Sequence, residues 1–219
     1  YNSVSLEAYG ASTYSWSPAI YLNNTAGDVV TFAHTIAASY TYNLTGTDLN
    51  GCMNDTFAVI TLYPQPTLTS SGNTTVCNGS STLLTAGGAS SFTWQPNTWL
   101  DASNAANVTA TPAISGTNTY TVIGSDGICS DTTLVILASI ALPLVVASAA
   151  DPVVCQGYTT VMSAQGNQTN YVWLPATDLS SSAGSTVIFT PPGIGAYTYS
   201  VSITEPSYNC KSTAIVTAT

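Results

Sequence analysis

Three Trp-x-Pro tripeptides, beginning at Trp16, Trp94 and Trp173, divide the chain at intervals of 78 and 79 residues. Around each the same frame recurs. An aromatic stands two residues before the Trp (Tyr14, Phe92, Tyr171), a Leu six after it (Leu22, Leu100, Leu179) and a Val fourteen after it (Val30, Val108, Val187). A Tyr follows twelve residues beyond that Val, at Tyr42, Tyr120 and Tyr199. Upstream, Leu6, Leu84 and Met162 each open an alternation of a hydrophobic, an Ala and a Gly. A frame that recurs without insertions marks three copies of one folding module. The boundaries this predicts are 1–63, 64–142 and 143–219, the first module lacking its first strand.

Inside each module the hydrophobic period is two, as in a half-buried strand. "SYTYNLTG", "NTYTVIGS" and "AYTYSVSI" place Tyr42, Tyr120 or Tyr199 on one face and small polar residues on the other. Turn chemistry follows ("TDLNG", "SDGI", "TEPSYN"), then a last strand ("FAVITLY", "TLVILAS", "TAIVTAT"). Six or seven short strands per module with no helical period predict an all-β chain of tandem immunoglobulin-like β-sandwiches. The joints, Tyr63-Pro64-Gln65-Pro66 and Leu142-Pro143, are short and proline-bearing, which predicts a rod.

Leu134 to Ala150 is nearly all apolar and close to the length of a membrane-crossing helix. Pro143 breaks it, however, and β-branched residues stand on both sides, so two strands joined by a linker are expected.

Charge removes other partners. Only 5% of the residues are charged, against roughly 25% in ordinary domains, and the net charge is -9 with Lys211 the sole basic side chain. A chain that cannot neutralise phosphates is not built for nucleic acid or for anionic membrane surfaces.

The five cysteines fit the module frame. Cys77 and Cys129 flank Trp94, and Cys155 and Cys210 flank Trp173, whereas Cys52 has a counterpart position only just before Tyr1. One cysteine on either side of each Trp predicts bridges within modules, Cys77 with Cys129 and Cys155 with Cys210. Cys52 is then unpaired through truncation.

Taken together, V-C-x-G near a module start, aromatic-x-W-x-P-x-x-x-L, the T-x-T-P edge and the "YTVIGSDGIC" or "LTGTDLNGC" hairpin resemble the Ig-like and PKD-like repeats of large Bacteroidota surface proteins. Gliding-motility-associated adhesins are among them, and the likeness spans all three modules. The resemblance implies secretion through the type IX system, cell-surface location and a role in cell adhesion. It also implies O-linked sugars on Asp-Thr-x motifs, here Thr56 and Thr132.

Catalytic and cofactor sites find little support. His34 is the single histidine and aligns with Pro112 and Pro191, a strand edge. The cysteines are too far apart in sequence for a zinc cluster. Calcium is the one cofactor worth considering, at Asp48 and Asn50 with Asp126 and Glu205 in the other modules, but a plain turn accounts for these residues better. Tyr21, Trp99 and Asp178 share one position whose variability predicts exposure, and Trp99 could stack on a sugar ring.

The expectation is therefore a non-enzymatic extracellular segment forming the stalk of a large surface adhesin, without cofactor. Its partners are neighbouring modules of a longer chain, with glycans or surfaces as targets. The alternatives are a subunit of a self-assembling filament or sheath, associating laterally, and a carbohydrate-binding module.

Overall fold

The computed structural model describes residues 3–219, and all regular structure among them is β. The first module contains β1 (Val4–Glu7), β2 (Thr13–Ser17), β3 (Val29–Phe32), β4 (Ser39–Thr47) and β5 (Met53–Thr61). The second contains β6 (Thr69–Ser70), β7 (Thr74–Cys77), β8 (Thr82–Gly87), β9 (Ser91–Gln95), β10 (Asn107–Ala110), β11 (Gly116–Ser125) and β12 (Ser130–Ile140). The third contains β13 (Val145–Ala149), β14 (Thr160–Gly166), β15 (Val172–Leu174), β16 (Thr186–Phe189), β17 (Tyr197–Thr204) and β18 (Lys211–Ala218).

The second module shows the topology most fully. One sheet runs β10-β8-β6 and the other β7-β12-β11-β9. Its core takes Leu84, Val108 and Ala110 from the first sheet and Phe92, Trp94, Tyr120, Val122, Val135 and Leu137 from the second, so two sheets pack face to face. β7 crosses from the first sheet's side to pair in parallel with β12 (Leu137↔Thr74 to Ile140↔Cys77). The third module repeats the two sheets as β13-β14-β16 and β15-β17-β18, and the first as β1-β3 and β2-β4-β5.

Period-two alternation explains which side chains meet. In β11 the burial pattern alternates through Tyr120, Val122 and Gly124, and in β12 through Val135, Leu137 and Ser139. The apolar stretch from Leu134 to Ala150 is thus split, its first part in β12 and its second in β13, with the Pro143 joint between. No helix among the described residues is long and apolar enough to cross a membrane.

Among the described residues three hydrophobic cores form, each drawn from a single module. By compactness the chain divides into two units, Tyr1–Thr67 with Ser125–Asp131, and Leu68–Gly124 with Thr132–Thr219. The hairpin before β12 therefore belongs with the first unit, while the second and third modules share the other.

Candidate functional site: the inter-module bridge and its surroundings

The recurrent Trp and Tyr are structural posts. Trp16, Trp94 and Trp173 are 3%, 1% and 0% exposed, so they belong to cores. Their indole N–H groups donate to the carbonyls of Gly27, Ala105 and Gly184 at 3.1, 2.8 and 2.9 Å. Each donor is satisfied, as a buried indole requires. The hydroxyls of Tyr42, Tyr120 and Tyr199 donate to the carbonyls of Ile20, Thr98 and Thr177 at 2.8, 3.0 and 3.0 Å. These bonds pin the segment after each Trp-x-Pro, whose x-Pro peptide is cis in all three modules.

That segment explains Tyr21, Trp99 and Asp178. All three adopt left-handed backbone, with φ of 64°, 67° and 65°. Their carbonyls accept from Ala33, Thr111 and Thr190 N–H at 3.0, 2.8 and 2.9 Å. The shared position is thus fixed by its backbone and not by its side chain. Exposure was expected of it, and Tyr21 and Asp178 are exposed while Trp99 is half-buried; a groove of the second module is lined by Thr93, Trp94, Gln95, Pro96, Asn97 and Ser103, without Trp99. His34 also has a role that its sequence neighbours do not signal. Its imidazole stacks on Tyr21, with centroids 3.6 Å apart and planes 16° apart, and meets Tyr40 edge-on.

Two of the carboxylates considered for calcium, Asp48 and Glu205, close turns. Asp48 Oδ1 accepts from Asn50 and Cys52 N–H at 2.8 and 2.9 Å, and Glu205 accepts from Ser207 and Tyr208 N–H at 3.1 and 2.8 Å. Those backbone donors hold the Glu205 carboxyl below its ordinary value. Among the described residues no three His, Cys, Asp or Glu side chains gather as a metal site. Thr56 on β5 and Thr132 on β12, the candidate O-glycosylation positions, are exposed.

The cysteines require a correction. Cys77 is bonded to Cys210, with Cα atoms 5.5 Å apart at a sequence separation of 133. Cys52, Cys129 and Cys155 are free thiols. The bridges expected within modules do not form because the two cysteines of a module lie at opposite ends of its last strand. Cys77 sits beside Ile140, at the end of β12, whereas Cys129 immediately precedes its start. Eleven residue steps of extended chain, roughly 36 Å at about 3.3 Å each, separate these positions, and a disulfide needs Cα atoms within about 7 Å. The third module is the same: Val154 N–H, next to Cys155, donates to the carbonyl of Thr219 at 2.7 Å, while Cys210 precedes β18 at its other end. The bridge therefore joins the first cysteine of one module to the second cysteine of the next. Its 133-residue loop is worth about 5 kcal/mol on the chain-entropy model.

Strand order, the parallel pairing of β7 with the last strand β12 and a buried Trp94 on β9 make the second module immunoglobulin-like. No protein-family model matches the chain, and no curated protein does. Solved structures similar to it include Drosophila OTK extracellular domains 3–5, at 9% identity over 97% of this chain and 91% of that one, with a TM-score of 0.33. Three N-terminal domains of the bacteriophage RB49 outer capsid protein Hoc align at 11% identity over 99% and 92%, with a TM-score of 0.35. The titin domains z1z2 align at 16% over 72% and 98%, with a TM-score of 0.30. The immunoglobulin-like class follows from the strand order, the β7–β12 pairing and the buried Trp94.

Proposed function

We propose that this chain is a non-enzymatic, load-bearing segment of an extracellular stalk, part of a large surface adhesin. The observation that carries the reading is the Cys77–Cys210 bond between successive modules. A catalytic or sugar-binding module needs no covalent tie to its neighbour, whereas a tether under tension gains from one. A disulfide also suits an oxidising, extracytoplasmic setting. The resemblance of the repeats to gliding-motility-associated adhesins secreted by the type IX system supports the same reading. An antibody raised against the folded chain is expected to label intact source cells and to lower their attachment under flow. Labelling only after permeabilisation would remove the proposal.

A second reading, lateral assembly into a filament or sheath, draws on a different observation. Phe57, Leu134 and Ile215 each stand five residues after the second cysteine of their module and are 71%, 60% and 67% exposed. A large apolar side chain repeated on the outer face of each last strand is suited to side-by-side packing. Sedimentation velocity distinguishes the two: concentration-dependent growth that Leu134→Ser and Ile215→Ser abolish favours the filament, and a monomer at all concentrations favours the stalk.

A further inference from the structure

Cys129 lies where a bridge like Cys77–Cys210 would form one module earlier. Its thiol donates to the carbonyl of Tyr63 at 3.8 Å. Tyr63 stands eleven residues after Cys52, and Ile140 stands eleven residues after Cys129, so the two are equivalent positions of their modules. Ile140 is the ladder partner of Cys77. Cys129 is therefore held beside the strand end that, in the next module, carries the bridged first cysteine. The grouping of Ser125–Asp131 with Tyr1–Thr67 in one compact unit says the same of the whole hairpin.

The hairpins that present the second cysteines are alike. Asp48, Asp126 and Glu205 N–H donate to the carbonyls of Cys52, Cys129 and Cys210 at 3.0, 3.1 and 2.7 Å. The first cysteines are alike too: Ser80 and Tyr158 N–H donate to the carbonyls of Cys77 and Cys155 at 2.9 and 3.0 Å. Cys155 is exposed and flanked by Val153 and Tyr158, which are 75% and 71% exposed. They border a groove of about 320 Å³ that includes Cys155. At the equivalent place in the second module, Cys77, the occupant is the hairpin of the following module.

We propose that the bridge is periodic: wherever modules of this kind stand in tandem, the first cysteine of each is joined to the second cysteine of the module that follows. A cysteine supplied at the register just before Tyr1, the counterpart of Cys77, would then be taken by Cys129. Joined to a following module, Cys155 would take its hairpin cysteine, and joined to a preceding one, Cys52 would take its first cysteine. Each step forms one S–S bond from two thiols. A disulfide-bearing oxidant accepts the two protons and two electrons, its own S–S bond breaks, and it leaves as a dithiol.

The test adds a cysteine at that register. A second copy of residues 64–78 placed directly before Tyr1 puts a cysteine seventeen residues ahead of Trp16, matching Cys77 and Trp94. After oxidation with glutathione disulfide, peptide mapping is expected to link the added cysteine to Cys129, leaving Cys52 and Cys155 as the maleimide-reactive thiols. With Cys129→Ser in the extended chain, the added cysteine is expected to remain a titratable thiol. A link from the added cysteine to Cys52, or an unlinked added cysteine in molecules where Cys77–Cys210 has formed, overturns the proposal. Failure to form Cys77–Cys210 in the unextended chain overturns it at its template.

Discussion

The hydroxyl of Tyr120 donates to the carbonyl of Thr98 at 3.0 Å, and the same bond, across the same 22 residues, recurs from Tyr42 to Ile20 and from Tyr199 to Thr177. Tyr120→Phe keeps the buried ring but leaves that carbonyl without its donor. It is expected to lower stability by about 1–2 kcal/mol, read as a reduced urea midpoint from the fluorescence of the buried tryptophans. An unchanged midpoint would show that the bond is replaced by water at no cost.

These three tyrosines also set an alkaline limit. Burial holds each above the ordinary 10.0, reinforced at Tyr42 by Tyr40 and Tyr21 and at Tyr199 by Asp178 and Tyr197. The folded values exceed the unfolded one, so their contribution is complete below pH 10 and is lost as pH rises through the folded values. Denaturant midpoints are expected to fall above pH 10, with the tyrosinate absorbance of these three buried rings appearing together with unfolding. Tyrosinate that forms fully before any loss of structure would contradict this.

Much of the scaffold was legible because rings recur at fixed spacing: Trp94 stands in a repeated hydrophobic frame that suits a core, and period-two alternation sets Tyr120 on one face of its strand, and both are buried. The disulfide partner was not legible. Counting residues around Trp94 shows that Cys77 and Cys129 belong to one module, but it gives no indication that a parallel pairing of β7 with β12 sends them to opposite ends. The immunoglobulin-like strand order, once assumed, contained that signal. Nor could the variable position at Tyr21, Trp99 and Asp178 reveal a backbone requirement, since none of the three is glycine.

That backbone requirement has its own check at Asp178, an exposed residue with φ of 65°. Left-handed backbone costs an ordinary L-residue about 1–2 kcal/mol and is worst for β-branched side chains. Asp178→Val is expected to destabilise the third module by about that amount, and Asp178→Gly to leave it within about 0.5 kcal/mol of the parent. Equal effects of the two substitutions on the thermal midpoint would mean that the side chain, not the backbone, decides the position.

Thiol counting examines the bridge directly. Residues 1–219, folded and unreduced, are expected to react with maleimide at Cys52, Cys129 and Cys155 only, and Cys77 and Cys210 should become reactive after reduction. Non-reducing peptide maps that connect Cys77 to Cys129, or Cys155 to Cys210, would refute the connectivity.

Under tension the bridge is a shortcut. Force applied at the chain ends passes from Cys77 to Cys210 across 5.5 Å, so the 133 residue steps of chain between them bear no load. Single-molecule stretching is expected to show that stretch only after reduction, as additional contour of roughly 450 Å at about 3.4 Å per residue. The same total extension with and without reductant would exclude the shortcut.

The joint at Leu142-Pro143 acquires a second attachment from this arrangement. A lone peptide connection lets one body spin about its bonds relative to the next, as on a swivel. With the backbone passing through Pro143 and a sulfur link from Cys77 to Cys210, the second and third modules are held at two points. Rotation about a single strand of chain is then blocked, and a twist applied to one module is passed to the other as torque.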